Sequence, residues 1–253
     1  KEALEQVQLG GIQMGIFSNA YLSNIAPELG VITLPYIFRS IEHVHDTWDA
    51  PVGEELRQAL LAKGLRTLGV YDYSFRNTIT QTKPIQSPED FADVKIRVME
   101  TPVVIQTWSL LGANPVPMPW NEVYSALSAA VIDAMEAPPE SMYSIKIHEV
   151  GKYLTLTQHQ YTGAHIIIGE PAYQTLSEAH REVLQQAATE NEVFQQELAL
   201  KQNSEFLDKL KEAGVEIFEI DVTPLQALVK PVYDSFTESV DGKPLVEQIL
   251  AVN

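Results

Sequence analysis

The chain contains no cysteine. That excludes a disulfide scaffold, a thiolate zinc site and a thiol nucleophile, and it fits an oxidising compartment. Basic residues are scarce: 17 Lys and Arg face 34 Asp and Glu, for a net charge of −17. A surface of that sign repels phosphate backbones and anionic membranes, so nucleic acid is not expected as a partner. No apolar run approaches the ~20 residues of a membrane span. No charged-then-apolar leader opens the sequence, so a secreted form would be seen here already processed. There is no internal repeat, no Gly-rich phosphate loop, no Ser nucleophile elbow and no HExxH pair.

What remains is a chain of 253 residues, 45% hydrophobic and 20% charged, which reads as globular with one or two domains. Helical and strand-like segments alternate, which predicts an α/β fold. Residues 1–9 read as a helix stopped by Gly10-Gly11, and Ile12–Ser18 and Val31–Pro35 as short strands. A helix is expected from Ser40 to an interruption at Pro51-Val52-Gly53, and another from Glu54 to Gly64, followed by a strand over Leu65–Tyr73 that Phe75–Thr82 extend. Ser87-Pro88-Glu89-Asp90 places a hydroxyl at the N-cap, Pro at N1 and acids in the first turn of a helix. Residues 94–99 alternate as a strand, and Thr101-Pro102 starts a helix ended by Gly112. Residues 113–120 read as extended, 121–129 as helix, 131–136 and 215–221 as strands, and Thr223-Pro224 as another helix start.

The segment 177–213 is free of Gly and Pro, with Ser177 before it and Gly214 after it. At 1.5 Å per residue it spans on the order of 50 Å, against ~30 Å for one domain of this size. Leu184, Ala188, Phe194, Leu198, Leu207 and Leu210 supply apolar positions along it. The expectation is a helix packed across two domains.

An acidic protein that binds an anion must gather its few cations at the site, which singles out Arg97. It sits at the end of a predicted strand just before a capped helix, and in open α/β sheets ligands gather at the carboxyl ends of strands. Its guanidinium fork matches a carboxylate in two parallel hydrogen bonds. The alternative is a structural pair with one of the many acids. His43-Val44-His45-Asp46 offers no metal site on a helix, because i and i+2 point in different directions; a solvated helix face is expected there. Asp133 and Glu136, three apart on a strand, face opposite sides and do not form an acid–base pair. Glu136 is expected to orient Arg97 or a backbone amide. Tyr73 and Tyr124 read as core or junction residues. No metal and no cofactor is implied.

A wider pattern runs in order along the chain: Leu34-Pro35-Tyr36, Phe75-Arg76-Asn77, Pro84-Ile85, Lys95-Ile96-Arg97-Val98, Leu111-Gly112-Ala113-Asn114-Pro115, Met118, Glu122-Val123-Tyr124-Ser125-Ala126-Leu127, Val131 to Glu136, and Thr157-Gln158-His159. It resembles the DctP-type solute receptors of tripartite ATP-independent periplasmic (TRAP) transporters, over essentially the whole chain. The resemblance implies a two-lobed periplasmic binding protein fold with mixed sheets, a cleft between the lobes and a long helix bridging both. Lobe I is expected to comprise 1–73 plus 163–202, and lobe II 74–162 plus 203–253. It implies an extracytoplasmic receptor in the periplasm, not an enzyme, that binds a small organic acid and delivers it to membrane permease subunits, with a monomer expected. A sensing domain of a signalling protein, or an enzyme acting on an organic acid, are the alternatives.

Residue by residue, the resemblance implies that Arg97 grips the substrate carboxylate and that Arg76 helps. Trp120 falls where an aromatic ring lines the cleft, Ser18 and Asn19 where first-lobe contacts arise, and His159 near the site. Two departures stand out. The family often reads Asp-Gly-Gln-Glu-Asn where this chain reads Asp133-Ala134-Met135-Glu136-Ala137, so an amide that helps hold the carboxylate is replaced at Ala137. Where sugar-acid receptors carry Asn after Arg-Val-x, this chain has Glu100. With Trp120 and Met135 nearby, a less polar or aromatic carboxylate is expected. In the family about 40–50 residues, including a first strand and helix, normally precede the segment like Glu2-Ala3-Leu4, so one lobe is expected to be short of those elements here.

Overall fold

A computed structural model of the chain describes residues 2–252. Seven strands build one sheet: β1 (Met14–Ser18), β2 (Leu65–Thr80), β3 (Lys95–Val98), β4 (Asn114–Pro117), β5 (Ala134–Ala137), β6 (Tyr153–Gly169) and β7 (Glu216–Phe218). The helices are α1 (Glu2–Leu9), α2 (Asn19–Leu22), α3 (Ile41–Asp49), α4 (Pro51–Ala62), α5 (Pro102–Leu110), α6 (Val123–Ser128), α7 (Pro139–Ser144), α8 (Glu170–Thr175), α9 (Glu178–Glu212), α10 (Thr223–Leu228), α11 (Lys230–Val240) and α12 (Lys243–Ala251).

The sheet is mixed, in the order β1-β6-β2-β5-β3-β4, with β7 also on β6. Two strands run its whole length. β2 and β6 pair antiparallel from Leu65 opposite Gly169 to Thr80 opposite Tyr153. At one end β1 joins β6, Met14 opposite Ile168. At the other, β5 joins β2, β3 lies parallel between β5 and β4, and β7 lies parallel to β6. At ~3.3 Å per residue, strands of 16 and 17 residues reach about 50 Å, the length of α9 with its 35 residues at 1.5 Å. Prolines 115 and 117 are tolerated because β4 is the sheet's edge.

Why α9 lies along β2 is a matter of polar groups more than apolar ones. The β2–β6 register slips between Thr67 and Gly69 and again between Asp72 and Ser74, and such bulges leave ladder groups unpaired. Side chains of α9 take them up. Gln185 donates to the Leu68 carbonyl (2.8 Å), and Glu192 accepts from the Val70 N–H (2.9 Å). Gln195 takes both backbone groups of Asp72, at 2.8 and 2.6 Å. Of the apolar positions expected to hold this helix, Ala188 and Leu210 are buried, but Phe194 is 62% exposed and Leu198 37%. Ser177 caps the helix by accepting from the His180 N–H, and Gly214 ends it at φ +93°.

The largest core lies around α2 to α4 and continues through β3, α5 and α10 to α12. α11 and α12 pack on α5, α4 and the 3₁₀ turn Pro27–Thr33. A second core gathers Ile79, Leu127, Met135, Leu154 and Leu210. Several sequence expectations fail locally. Val31–Pro35 is not a strand: residues 27–33 form a 3₁₀ turn with Leu29, Val31 and Ile32 buried, because a short apolar run buried on all sides carries no period. The break between two helices falls just before Pro51, but α4 starts at Pro51 itself, at N1, and not near Glu54. The well-capped start at Ser87 yields only a 3₁₀ turn, Pro88–Phe91. His43 and His45 do not lie on a solvated face: His43 is buried with Nε2 2.9 Å from the Ile249 carbonyl, and His45 Nε2 lies 2.6 Å from Asp72.

Candidate functional site

Arg97 occupies the middle of the sheet's second end. Ile96 and Val98 on either side point into the main core, so strand alternation turns Arg97 to the opposite face. There its guanidinium is buried, 1% exposed. Nε and Nη2 both donate to the Met118 carbonyl, at 2.9 and 2.7 Å, and the cation lies over the Trp120 ring, 5.5 Å from its centre. Nη1 is buried without a partner among the described residues. Burial lowers the Arg97 pKa, the nearby Glu136 charge opposes that, Arg76 adds to it, and the Tyr21 hydroxyl, close to the guanidinium on the cleft wall though not in hydrogen-bond geometry with Nη1, raises it; a guanidinium stays charged regardless. Buried N–H groups are almost always paired, and one left open costs its full desolvation. This atom is therefore a ready donor for an incoming acceptor.

Arg76, on β2, is engaged. It donates to both Glu136 carboxylate oxygens, with Nη2 2.9 Å from Oε1 and 2.7 Å from the Glu136 carbonyl, and Nη1 reaches the Thr162 hydroxyl at 3.0 Å. Glu136 is fully buried on β5. Burial pushes its carboxyl up, but the Arg76 charge and the hydrogen bonds from His159 and Arg76 overcome this and hold it at about 2. Burial lowers the pKa of His159 on β6, against the hydrogen bond and charge of Glu136, which raise it. Its Nε2 lies 3.2 Å from Glu136 and Nδ1 2.9 Å from the Thr157 hydroxyl, so the tautomer that donates to Glu136 accepts from Thr157. Its ring stands edge-on to Trp108.

Both arginines line a cleft of about 540 Å³, the size of a small-molecule site. Of the residues expected from sequence, Ser18, Arg76, Arg97, Trp120 and Ala137 line it. The others do not. Asn19 is buried at the start of α2, its Oδ1 accepting from the Ala20 N–H at 2.9 Å and its amide nitrogen unpartnered. Glu136 and His159 stand behind Arg76. Glu136 orients Arg76, where the sequence led us to expect Arg97 or a backbone amide. Glu100 is exposed, and Met135 belongs to the second core. The sequence reading missed Tyr21, Met99 and Glu140; Tyr73, expected as a core or junction residue, is 37% exposed and lines the cleft, so it is not core. Glu140 carries one local signal, its place in the first turn of α7 after Pro138-Pro139. A larger hollow of about 640 Å³ lies along α9, but it is a groove on one helix face beside Tyr173, itself flanked by Arg66 and Arg181.

The fold is that of the periplasmic solute-binding proteins of TRAP transporters. One such structure, from Roseobacter denitrificans with bound β-D-glucuronate, superposes with a TM-score of 0.97 at 32% identity, covering all of this chain and 84% of that one. Another, from Sulfurospirillum deleyianum with bound succinate, gives 0.94 at 28% identity, again covering all of this chain and 84% of that one. In sequence, the 2,3-diketo-L-gulonate-binding periplasmic protein YiaO of Escherichia coli is 33% identical over 246 residues, 96% of this chain and 75% of that protein. The model of the DctP family, bacterial extracellular solute-binding proteins of family 7, matches residues 1–239. The chain belongs to this family of extracellular solute-binding proteins, and the relatives named above bind small organic acids. No helix among the described residues is long and apolar enough to cross a membrane.

Proposed function

We propose that this chain is the periplasmic receptor of a TRAP transporter, that Arg97 clamps the carboxylate of its solute, and that the loaded protein delivers the solute unchanged to membrane permease subunits. Lobe I comprises 1–73 plus 163–202 and lobe II 74–162 plus 203–253, with α11 and α12 reaching back from the second to pack on the first. The protein acts as a monomer, and binding closes the lobes about β2, β6 and α9, the elements that cross between them.

One observation carries the reading: a buried guanidinium, neutralised by no acid of its own, presents a free Nη1–H beside a cleft of about 540 Å³. Its other two donors are fixed on the Met118 carbonyl, so the fork is held in place before the solute arrives and little ordering remains at binding. Micromolar affinity requires ~8 kcal/mol, a scale that one desolvated charge pair and the apolar walls of such a cleft can reach.

A thermal-shift screen of mono- and dicarboxylates, aromatic acids and sugar acids finds the solute, and calorimetry of Arg97→Ala tests the clamp. Losing one side of a buried charge pair costs about 2–5 kcal/mol, a factor of roughly thirty or more in Kd. Undiminished affinity in the variant refutes the assignment. Turnover of the solute on prolonged incubation would instead favour an enzyme.

A further inference from the structure

The cleft holds two unanswered charges of opposite sign. Three charged side chains line it: Arg76, Arg97 and Glu140. Arg76 is neutralised by Glu136 from behind the wall. Arg97 keeps one N–H open. Glu140, in the first turn of α7, is half-buried on the cleft, and burial pushes its carboxyl up; among the described residues no side chain pairs with it, and its open side faces the cleft. Beside it stands Tyr73, a ring on the cleft that feels the Glu140 charge and has no cation of its own over its face. Tyr21 and Trp120 line the same cleft.

We propose that the solute is a monocarboxylate bearing an ammonium group, its carboxylate on Arg97 and its cation held between the Glu140 carboxylate and the face of Tyr73. The inference rests on the receptor reading above and adds the second pole of the ligand. A desolvated carboxylate is costly unless a charge or donors meet it. An ammonium ion answers it fully, and an alkylated one also gains from aromatic faces. With Arg76 cancelled by Glu136, the cleft offers net zero charge to a ligand of net zero charge. A dicarboxylate would bring a second anion into a site whose one remaining free charge is negative, and like charges placed together discriminate strongly. A polyhydroxylated acid could lend hydroxyls to Glu140 but would leave its charge in place, so it is the weaker fit. At Ala137 the side chain offers no polar atom to a sugar hydroxyl.

The test is calorimetry on the whole chain with β-alanine, 4-aminobutyrate and their trimethylammonium forms, set against 4-hydroxybutyrate, succinate and D-glucuronate. At least one ammonium acid is expected to bind roughly tenfold or more tightly than its hydroxy or dicarboxylate counterpart, a difference of one charge-assisted contact. Glu140→Gln, which keeps the shape, is expected to erase that preference without lowering the melting temperature, and to leave binding of succinate the same or tighter. The proposal is overturned if no ammonium acid binds, if succinate or D-glucuronate binds wild type more tightly than all of them, or if Glu140→Gln keeps the preference. Arg97→Ala separates the two layers. Loss of all binding in that variant with an indifferent Glu140→Gln sinks the ammonium pole alone, whereas full binding in Arg97→Ala sinks the Arg97 clamp beneath it.

Discussion

Replacing Glu136 by Gln tests the buried network that holds Arg76 in the cleft wall. The substitution keeps size and one acceptor oxygen but removes the counter-charge of a guanidinium that is 4% exposed. Two routes give the cost. Removing one partner of a buried ion pair destabilises by about 3–5 kcal/mol. Independently, a carboxyl held at about 2 in the folded state against an ordinary 4.5 stores on the order of 3 kcal/mol. The sign follows from the direction of the shift: because the folded value is depressed, this stability is complete above about pH 4.5 and is lost as pH falls from there towards 2. The gap in unfolding free energy between wild type and Glu136→Gln is therefore about 3 kcal/mol near neutrality. It narrows by about 0.8 kcal/mol near pH 4 and by about 2 kcal/mol near pH 3. Urea unfolding at several pH values measures it. A gap that stays constant with pH would show that Glu136 is not the anion of the network, and the account of Arg76 as a neutralised cation would fall with it.

His165 is fully buried with neither ring nitrogen hydrogen-bonded, its edge against Trp48, and burial and then the charge of Arg57 push its pKa down to about 3. Its depressed value makes the wild type lose about 1.4 kcal/mol per pH unit as pH falls below 6.5. His165→Leu is expected to flatten the fall of melting temperature between pH 6.5 and 4, and equal slopes would contradict this. Gly53 in the first turn of α4 leaves no room for a methyl: a Cβ there would stand 2.3 Å from the Trp48 carbonyl oxygen. Gly53→Ala is expected to cost about 1–3 kcal/mol despite alanine's better helix propensity, read as a lower urea midpoint; a stabilised variant would mean that the α3–α4 junction yields.

Features that are local in the sequence were legible there. Ser40 and Ser177 mark helix starts because a side-chain cap needs one residue type at one position, and Pro102 marks the start of α5 at N1. The length of α9 needed only the absence of Gly and Pro. Arg97 stood out because alternation on β3 must turn it away from Ile96 and Val98. What escaped depended on distant partners. β6, nearly all buried over 17 residues, carries no alternation to count. The hold of α9 on β2 comes from Gln185, Glu192 and Gln195, residues that read as solvent-facing until the bulges opposite them are known. Glu136 was assigned to the wrong arginine, since strand order decides which of two cations lies beside it. The one local signal at Glu140, an acid in a first turn, has an ordinary explanation, and only the walls of the cleft make its isolation visible.

The most direct test is a crystal structure of the protein bound to the solute that the screen selects. A carboxylate oxygen is expected within 2.7–3.1 Å of Arg97 Nη1, with both bonds to the Met118 carbonyl retained and Arg76 still on Glu136. A solute seated in the cleft with its carboxylate elsewhere, and Nη1 as bare as before, would contradict the clamp.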